Sequence, residues 1–261
     1  MIPDVSILAD SVNDGTGDRL TTFLLGNFPK CLLAELNTHR MLSKNAASSR
    51  AMPIAKLIEQ VQKNPFIPQW TTHAKGMVGI DDLNDNDRRR ATCQWLQVRD
   101  EAVSGAQRLA DLGIAKQNVN RLLEPWMMVP VIVSGTEWDN FFTLRTARDV
   151  QPEFRAFACE MQSLMKASKP KRLNLGDWHI PLDVPSLPLK DRIKSSVAAC
   201  ARGSYGSFIS DAPDLEKDIA LHDRLMVSGH WSPFEHQACC AQMGRYANYR
   251  GWESYRFACE L

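Results

Sequence analysis

Thr38-His39-Arg40-Met41-Leu42-Ser43-Lys44-Asn45-Ala46-Ala47-Ser48-Ser49-Arg50 packs imidazole, cationic and hydroxyl side chains into one short stretch. Guanidinium groups and hydroxyls match phosphate oxygens, and an imidazole beside them suits a polar ring, so the stretch fits a phosphorylated, aromatic ligand. Just upstream, Leu20-Thr21-Thr22-Phe23-Leu24-Leu25 predicts a strand ending at Gly26, and Pro29 predicts a helix start. Leu32, Leu33 and Leu36 form the stripe of that helix, and His39, Arg40 and Ser43 continue its face at i+3 and i+4. The spacing thus predicts a helix that presents polar groups at its C-terminal end. Taken alone, His39 and Arg40 could equally cap free carbonyls and answer the helix dipole.

The rest of the chain sets the frame. Its 261 residues allow one large domain or two small ones, and an apolar fraction of 44% suffices for a buried core. A net charge of +1 gives no field for nucleic acid or an anionic membrane, so any anion must be held by local groups. No apolar run approaches the ~20 residues of a membrane span, and Met1-Ile2-Pro3-Asp4 lacks a signal-peptide pattern; the expected location is cytoplasmic. Seven cysteines without a C-x-x-C pair read as buried thiols.

Residues 53–116 read as a helical insertion. Ile54, Leu57, Ile58 and Val61 keep helical spacing before Pro65, and a second helix follows a polar loop at Asp81–Asp87 and ends near Gly113. Arg88-Arg89-Arg90 reads as a solvated helix face rather than a nucleic-acid patch. Met127–Val133 predicts a strand, edge or irregular because of Pro130. Phe154, Phe157, Met161, Leu164 and Met165 mark an amphipathic helix, and residues 167–190 a connector in which Trp178 and His179 are packing anchors. Leu215, Ile219, His222 and Met226 mark the last long helix, stopped by Gly229. The expectation is a mixed α/β (α+β) fold, 1–261 as a single domain. Asp14-Gly15-Thr16-Gly17 reads as a turn rather than a phosphate loop.

Near the other end stands Gly229-His230-Trp231-Ser232-Pro233-Phe234-Glu235-His236. It resembles the G-H-x-[ST]-P-[FL]-E-H signature of flavin-dependent thymidylate synthases at every fixed position. Thr38-His39-Arg40 with Ser48 resembles that family's R-H-R-x7-S motif. Arg121-Leu122-Leu123-Glu124-Pro125 is similar to its A-R-x-x-L-P segment, and Phe142–Arg145 with Gln151 and Glu153 to its L-R…Q-x-E segment. Ala201-Arg202-Gly203-Ser204-Tyr205 is a weaker likeness to A-R-V-S-[FY]. The family's order places the last of these, and the E-H motif, first. The reversal implies a circular permutation with residues 167–190 bridging the ancestral ends.

The resemblance implies a thymidylate synthase-like methyltransferase. FAD would be the cofactor, methylene-tetrahydrofolate the one-carbon donor and NADPH the reductant. The substrate would be a pyrimidine deoxynucleotide, dUMP by default. Hydroxymethylation or methylation of dUMP or dCMP for modified DNA, and a non-catalytic nucleotide- or flavin-binding homologue, are the alternatives. Arg145 would contact the base edge, and with Ser48 form the catalytic pair. Arg50, Arg121 and Ser48 would hold the phosphate, with Glu35 on the same nucleotide side. His39, Arg40, Asn45, His230, Ser232, Glu235 and Ser204 would line the flavin site. The assembly would be a homo-oligomer, a tetramer with shared sites, with neither membrane nor nucleic acid as partner. His230, Glu235 and His236 match no zinc spacing, so no metal is expected. The chain departs from the family at Thr38, Ala46, Glu35, Ser134 and Thr136, where Arg, Glu, Gln and an Asn-x-Arg pair are usual.

Overall fold

The computed structural model describes residues 2–73, 79–80, 83–203 and 214–260. The elements are β1 (Val5–Asn13), β2 (Arg19–Pro29), α1 (Leu33–Asn37), β3 (Ser43–Ala46), α2 (Ile54–Lys63), β4 (Thr72–His73), β5 (Gly79–Ile80) and α3 (Asp85–Asp111). After them come α4 (Lys116–Val119), β6 (Met128–Gly135), α5 (Asp139–Arg145), α6 (Pro152–Ala167), β7 (Lys171–Leu173) and β8 (Trp178–His179). The remaining elements are α7 (Leu189–Gly203), α8 (Leu215–Val227), β9 (Ala238–Tyr246), β10 (Tyr249–Ser254) and α9 (Tyr255–Glu260).

A five-stranded sheet runs in the order β3-β6-β2-β1-β7. Its middle strand, β2, is buried along nearly all its length, which suits its unbroken apolar run. Alternate side chains of the sheet serve different layers. Phe23, Leu25, Val131 and Val133 join Phe154, Phe157 and Met161 of α6 in the main core. Leu24 and Ile132 face the other way, onto Cys200 of α7. Phe28 packs edge-on to both Phe154 and Phe157, with centroids 5.6 and 5.1 Å away. A smaller sheet, β10-β9-β8, packs Trp252, Tyr249 and Ala238 against Leu20 and Leu173.

Helix spacing in the sequence locates α2, α3, α6 and α8 well, and Gly113 and Gly229 follow α3 and α8 at φ +75° and +68°. The expected turn at Asp14–Gly17 joins β1 to β2, with Gly17 at φ +78°. Other expectations need correction. The first strand does not stop at Gly26 but continues to Pro29 through a register shift between Leu25 and Phe28. Pro130 faces that shift, so a proline without an N–H is tolerated in a strand paired on both sides. Pro130 is therefore in an irregular segment, as one reading held, but not at an edge.

Pro29 opens a single 3-10 turn over Lys30–Leu32, and α1 ends at Asn37. His39 and Arg40 lie in the turn beyond it and Ser43 in β3, so they do not extend the helix face. The polar residues merely mimic the helical period. The connector is not featureless either. It adds β7 parallel to β1 in the first sheet and β8 antiparallel to β9 in the second. Three cysteines, Cys31, Cys93 and Cys159, are exposed rather than buried. Arg88 turns partly inward, its guanidinium donating to the Leu83 and Trp70 carbonyls. Ser204 and Tyr205 lie outside the described residues, as do Asp81 and Asp82 of the expected polar loop.

Candidate active site

The turn after α1 and the end of α5 meet at Arg145. Its Nε donates to His39 Nε2 at 2.7 Å, and its Nη2 to Thr38 Oγ1 at 3.3 Å and the Glu35 carbonyl at 3.4 Å. Nη1 stands 3.7 Å from the Glu35 carboxylate. The guanidinium carbon lies 4.7 Å from the centroid of the Phe154 ring, a cation–π contact at the start of α6. A cleft of about 690 Å³ opens here, lined by Thr38, His39, Arg40, Trp138, Phe141 and Arg145 among others. That size is in the range of small-molecule sites.

His39 is buried, edge-on to Phe141 at 4.9 Å. Burial, then the charges of Arg145 and Lys44, lower its pKa to about 4. Because Nε2 accepts the Arg145 hydrogen bond, the ring is neutral with its proton on Nδ1. Lys44 donates to the His39 carbonyl at 2.6 Å, which fixes the turn.

Asn45, buried in β3, ties the two halves of the sequence together. Its Nδ2 donates to the Cys200 carbonyl at 2.6 Å, and its Oδ1 accepts from Ser232 Oγ at 3.3 Å. Ser232, Pro233, Phe234 and Glu235 form a 3-10 turn against β3. Glu235 is mostly buried and pairs with Arg256 at 2.6 Å. His230 is not part of this cluster: it is exposed and bonded to Ser228 Oγ.

A third group surrounds the loop after β3. Arg50 is exposed, and its N–H donates to Ser48 Oγ at 3.3 Å. Ser49 Oγ and Arg121 Nη1 both donate to Glu124 Oε1, at 2.6 and 2.8 Å. That shared carboxylate brings Arg121 beside the Ser48–Arg50 loop. Lys30 donates to the Ala47 carbonyl and Lys116 to the Ala51 carbonyl, so two further cations border the loop. Neither carries a motif that sequence reading could find.

Behind the cleft wall runs a buried chain of side chains that the sequence did not announce. His236 Nδ1 meets Ser134 Oγ at 2.8 Å, Ser134 meets Thr22 Oγ1 at 2.7 Å, and Thr22 meets His179 Nε2 at 2.8 Å. His179 Nδ1 reaches Ser11 Oγ at 2.9 Å. Burial lowers both histidines to about 3. His179 is thus an anchor, as expected, but through hydrogen bonds as well as its contact with Trp252. No cluster of potential metal ligands occurs among the described residues.

No curated protein matches the chain. Among solved structures it is similar to a UMP/dUMP methylase, PolB from Streptomyces cacaoi, bound with 5-Br UMP. There the TM-score is 0.49 and the identity 18%, over 62% of this chain and 87% of that one. For the same enzyme bound with 5-Br dUMP the TM-score is 0.43 and the identity 21%, over 57% and 68%. The sequence profile described as "Thymidylate synthase complementing protein" matches residues 20–171, more than half the chain. This stretch includes the His39–Arg50, Arg121–Pro125 and Phe142–Glu153 segments, and the chain accordingly belongs to that family, the flavin-dependent thymidylate synthases, as a thymidylate synthase-like methyltransferase.

Proposed function

We propose that the protein transfers a one-carbon unit to C5 of a pyrimidine deoxynucleotide, dUMP by default. Methylene-tetrahydrofolate is the donor, NADPH the reductant and FAD the cofactor. The observation that carries this reading is Arg145, held by His39, Thr38 and Glu35 at the wall of the cleft. A fixed guanidinium there can stabilise negative charge developing on a pyrimidine ring. Ser48, Arg50 and Arg121 hold the nucleotide phosphate, with Lys30 and Lys116 adding positive potential.

The residues present fit a flavin that spans two neighbouring groups. Arg40, Trp138 and Phe141 line the cleft, while Asn45, Ser232 and Glu235, in the cluster around β3 and outside that lining, would add donors and acceptors. Bound FAD, once reduced by NADPH, would supply the hydride that completes reduction of the transferred carbon. His39, neutral and pinned by Arg145, orients a ring without adding charge. The permuted order is supported by Asn45 and Ser232, which meet although 187 residues apart. We further propose a homotetramer, in which Arg40 and His230, exposed in one chain, gain partners from another.

The deciding experiment is titration of the purified protein with FAD, followed by dUMP, methylene-tetrahydrofolate and NADPH. Quenched flavin fluorescence and dTMP formation are expected. Absence of flavin binding, or no nucleotide-dependent oxidation of the reduced flavin, overturns the reading.

A further inference from the structure

A second pocket, of about 260 Å³, lies at the Glu235 end of β3. Ser43, Asn248, Tyr249, Arg256 and Phe257 help to line it. All but Ser43 belong to the hairpin β9–β10 and to α9, which no recognised motif covers. The hairpin is nonetheless bound to the site by several bonds. Tyr249 Oη donates to the Glu235 carbonyl at 2.7 Å, and Asn248 Nδ2 to Ser43 Oγ at 3.3 Å. Arg256 Nη1 donates to Glu235 Oε1 at 2.6 Å, and the Arg256 Nε donates to Glu260 Oε2 at 2.8 Å one turn along α9.

We propose that Arg256 is a positioning residue, which fixes the Glu235 carboxylate so that its second oxygen can accept a hydrogen bond from the bound cofactor. The inference rests on the flavin reading above. A free glutamate samples many rotamers, and each contact it makes with a ligand costs the entropy of holding it. Arg256 removes that cost in advance. Its planar fork occupies Oε1, while Glu260 in turn orients the guanidinium. Tyr249 holds the Glu235 carbonyl, and Asn248 the Ser43 hydroxyl, at the rim of the pocket. The β10–α9 segment thereby forms a wall of the pocket beside Glu235.

FAD affinity, read by fluorescence quenching, tests this in the full-length protein. The variants are Arg256→Met, Arg256→Lys, Glu235→Gln and the double substitution. Arg256→Met should weaken FAD by about tenfold or more, the scale at which partners behind a ligand-contacting group act. Arg256→Lys should restore part of the loss. In the Glu235→Gln background Arg256→Met should cost almost nothing further, because the interaction is already gone. Equal FAD affinity for Arg256→Met and the parent overturns the proposal, as does a loss that is the same in both backgrounds. A parent protein that binds no FAD removes the flavin reading and this inference together. A parent that binds while Arg256→Met binds equally well removes this inference alone.

Discussion

Arg145 has four neighbours that compete for one guanidinium: His39, Thr38, Glu35 and Phe154. Its removal therefore acts twice. Arg145→Ala should lower dUMP turnover by about 10²–10³, as loss of one charge-stabilising donor does. It should also destabilise the fold by about 1–3 kcal/mol, since buried His39 Nε2 loses its donor. Steady-state rates measured well below the melting temperature separate the two effects. A rate loss that merely tracks the unfolded fraction refutes the role. Arg50→Ala should instead raise KM with little change in kcat, because a phosphate contact serves ground and transition states alike. The Arg145 guanidinium, through its charge and after burial, contributes to holding the His39 pKa near 4. In Arg145→Gln an NMR titration should find the His39 pKa shifted upward; an unchanged value shows that burial alone sets it.

Elements differ in how plainly the sequence declares them. Phe154, Phe157 and Met161 reveal α6 because one helix face is buried from Glu153 to Met161. β10 and α9 were missed. Tyr249-Arg250-Gly251-Trp252 lacks alternation because of the register shift between Arg250 and Trp252. Gly251, at φ +66°, sits where a Cβ would come within 2.6 Å of Asp18 Oδ2 and Thr16 Oγ1. Gly251→Ala should therefore destabilise by about 1–3 kcal/mol in urea titration; a neutral result contradicts the packing of this hairpin on the β1–β2 turn. The site was half legible for a related reason. His39, Ser48, Arg50 and the E-H motif lie in local patterns, whereas Thr22, Ser134 and His179 join His236, the last residue of that motif, only across the sheets. Nothing in a linear pattern marks such a chain. His230 completes its motif, yet within one chain it is exposed and bonded to Ser228 Oγ.

At the scale of the whole molecule, four buried histidines among the described residues, His39, His179, His222 and His236, have lowered pKa values and shape the response to acid. His39 titrates near 4, and His179 and His236 near 3, against 6.5 for the free side chain. Between pH 6.5 and these values the unfolded chain binds more protons than the folded one. Stability from their neutral burial is thus full above pH 6.5 and is lost as pH falls through that window. Each contributes a slope of up to about 1.4 kcal/mol per pH unit. Urea midpoints measured from pH 7 to 4 should fall accordingly, and His236→Gln should flatten the curve. Light scattering should find a homotetramer; a fully active monomer overturns the shared-site assembly.

The short strands β7 and β8, which tie the connector into both sheets, give the region around residue 185 an unusual property. Everything that the upstream piece must donate to the downstream one is already in place before that point: an edge strand for β9, the Asn45 amide for α7 and the Ser134 hydroxyl for His236. A protease nick between Leu182 and Leu189 should leave a two-chain enzyme that stays associated under native conditions. Residues 1–185 and 186–261, expressed together as separate polypeptides, should likewise reassemble and copurify. Covalent continuity at that place is then a convenience of synthesis, and the same architecture can accept a break there.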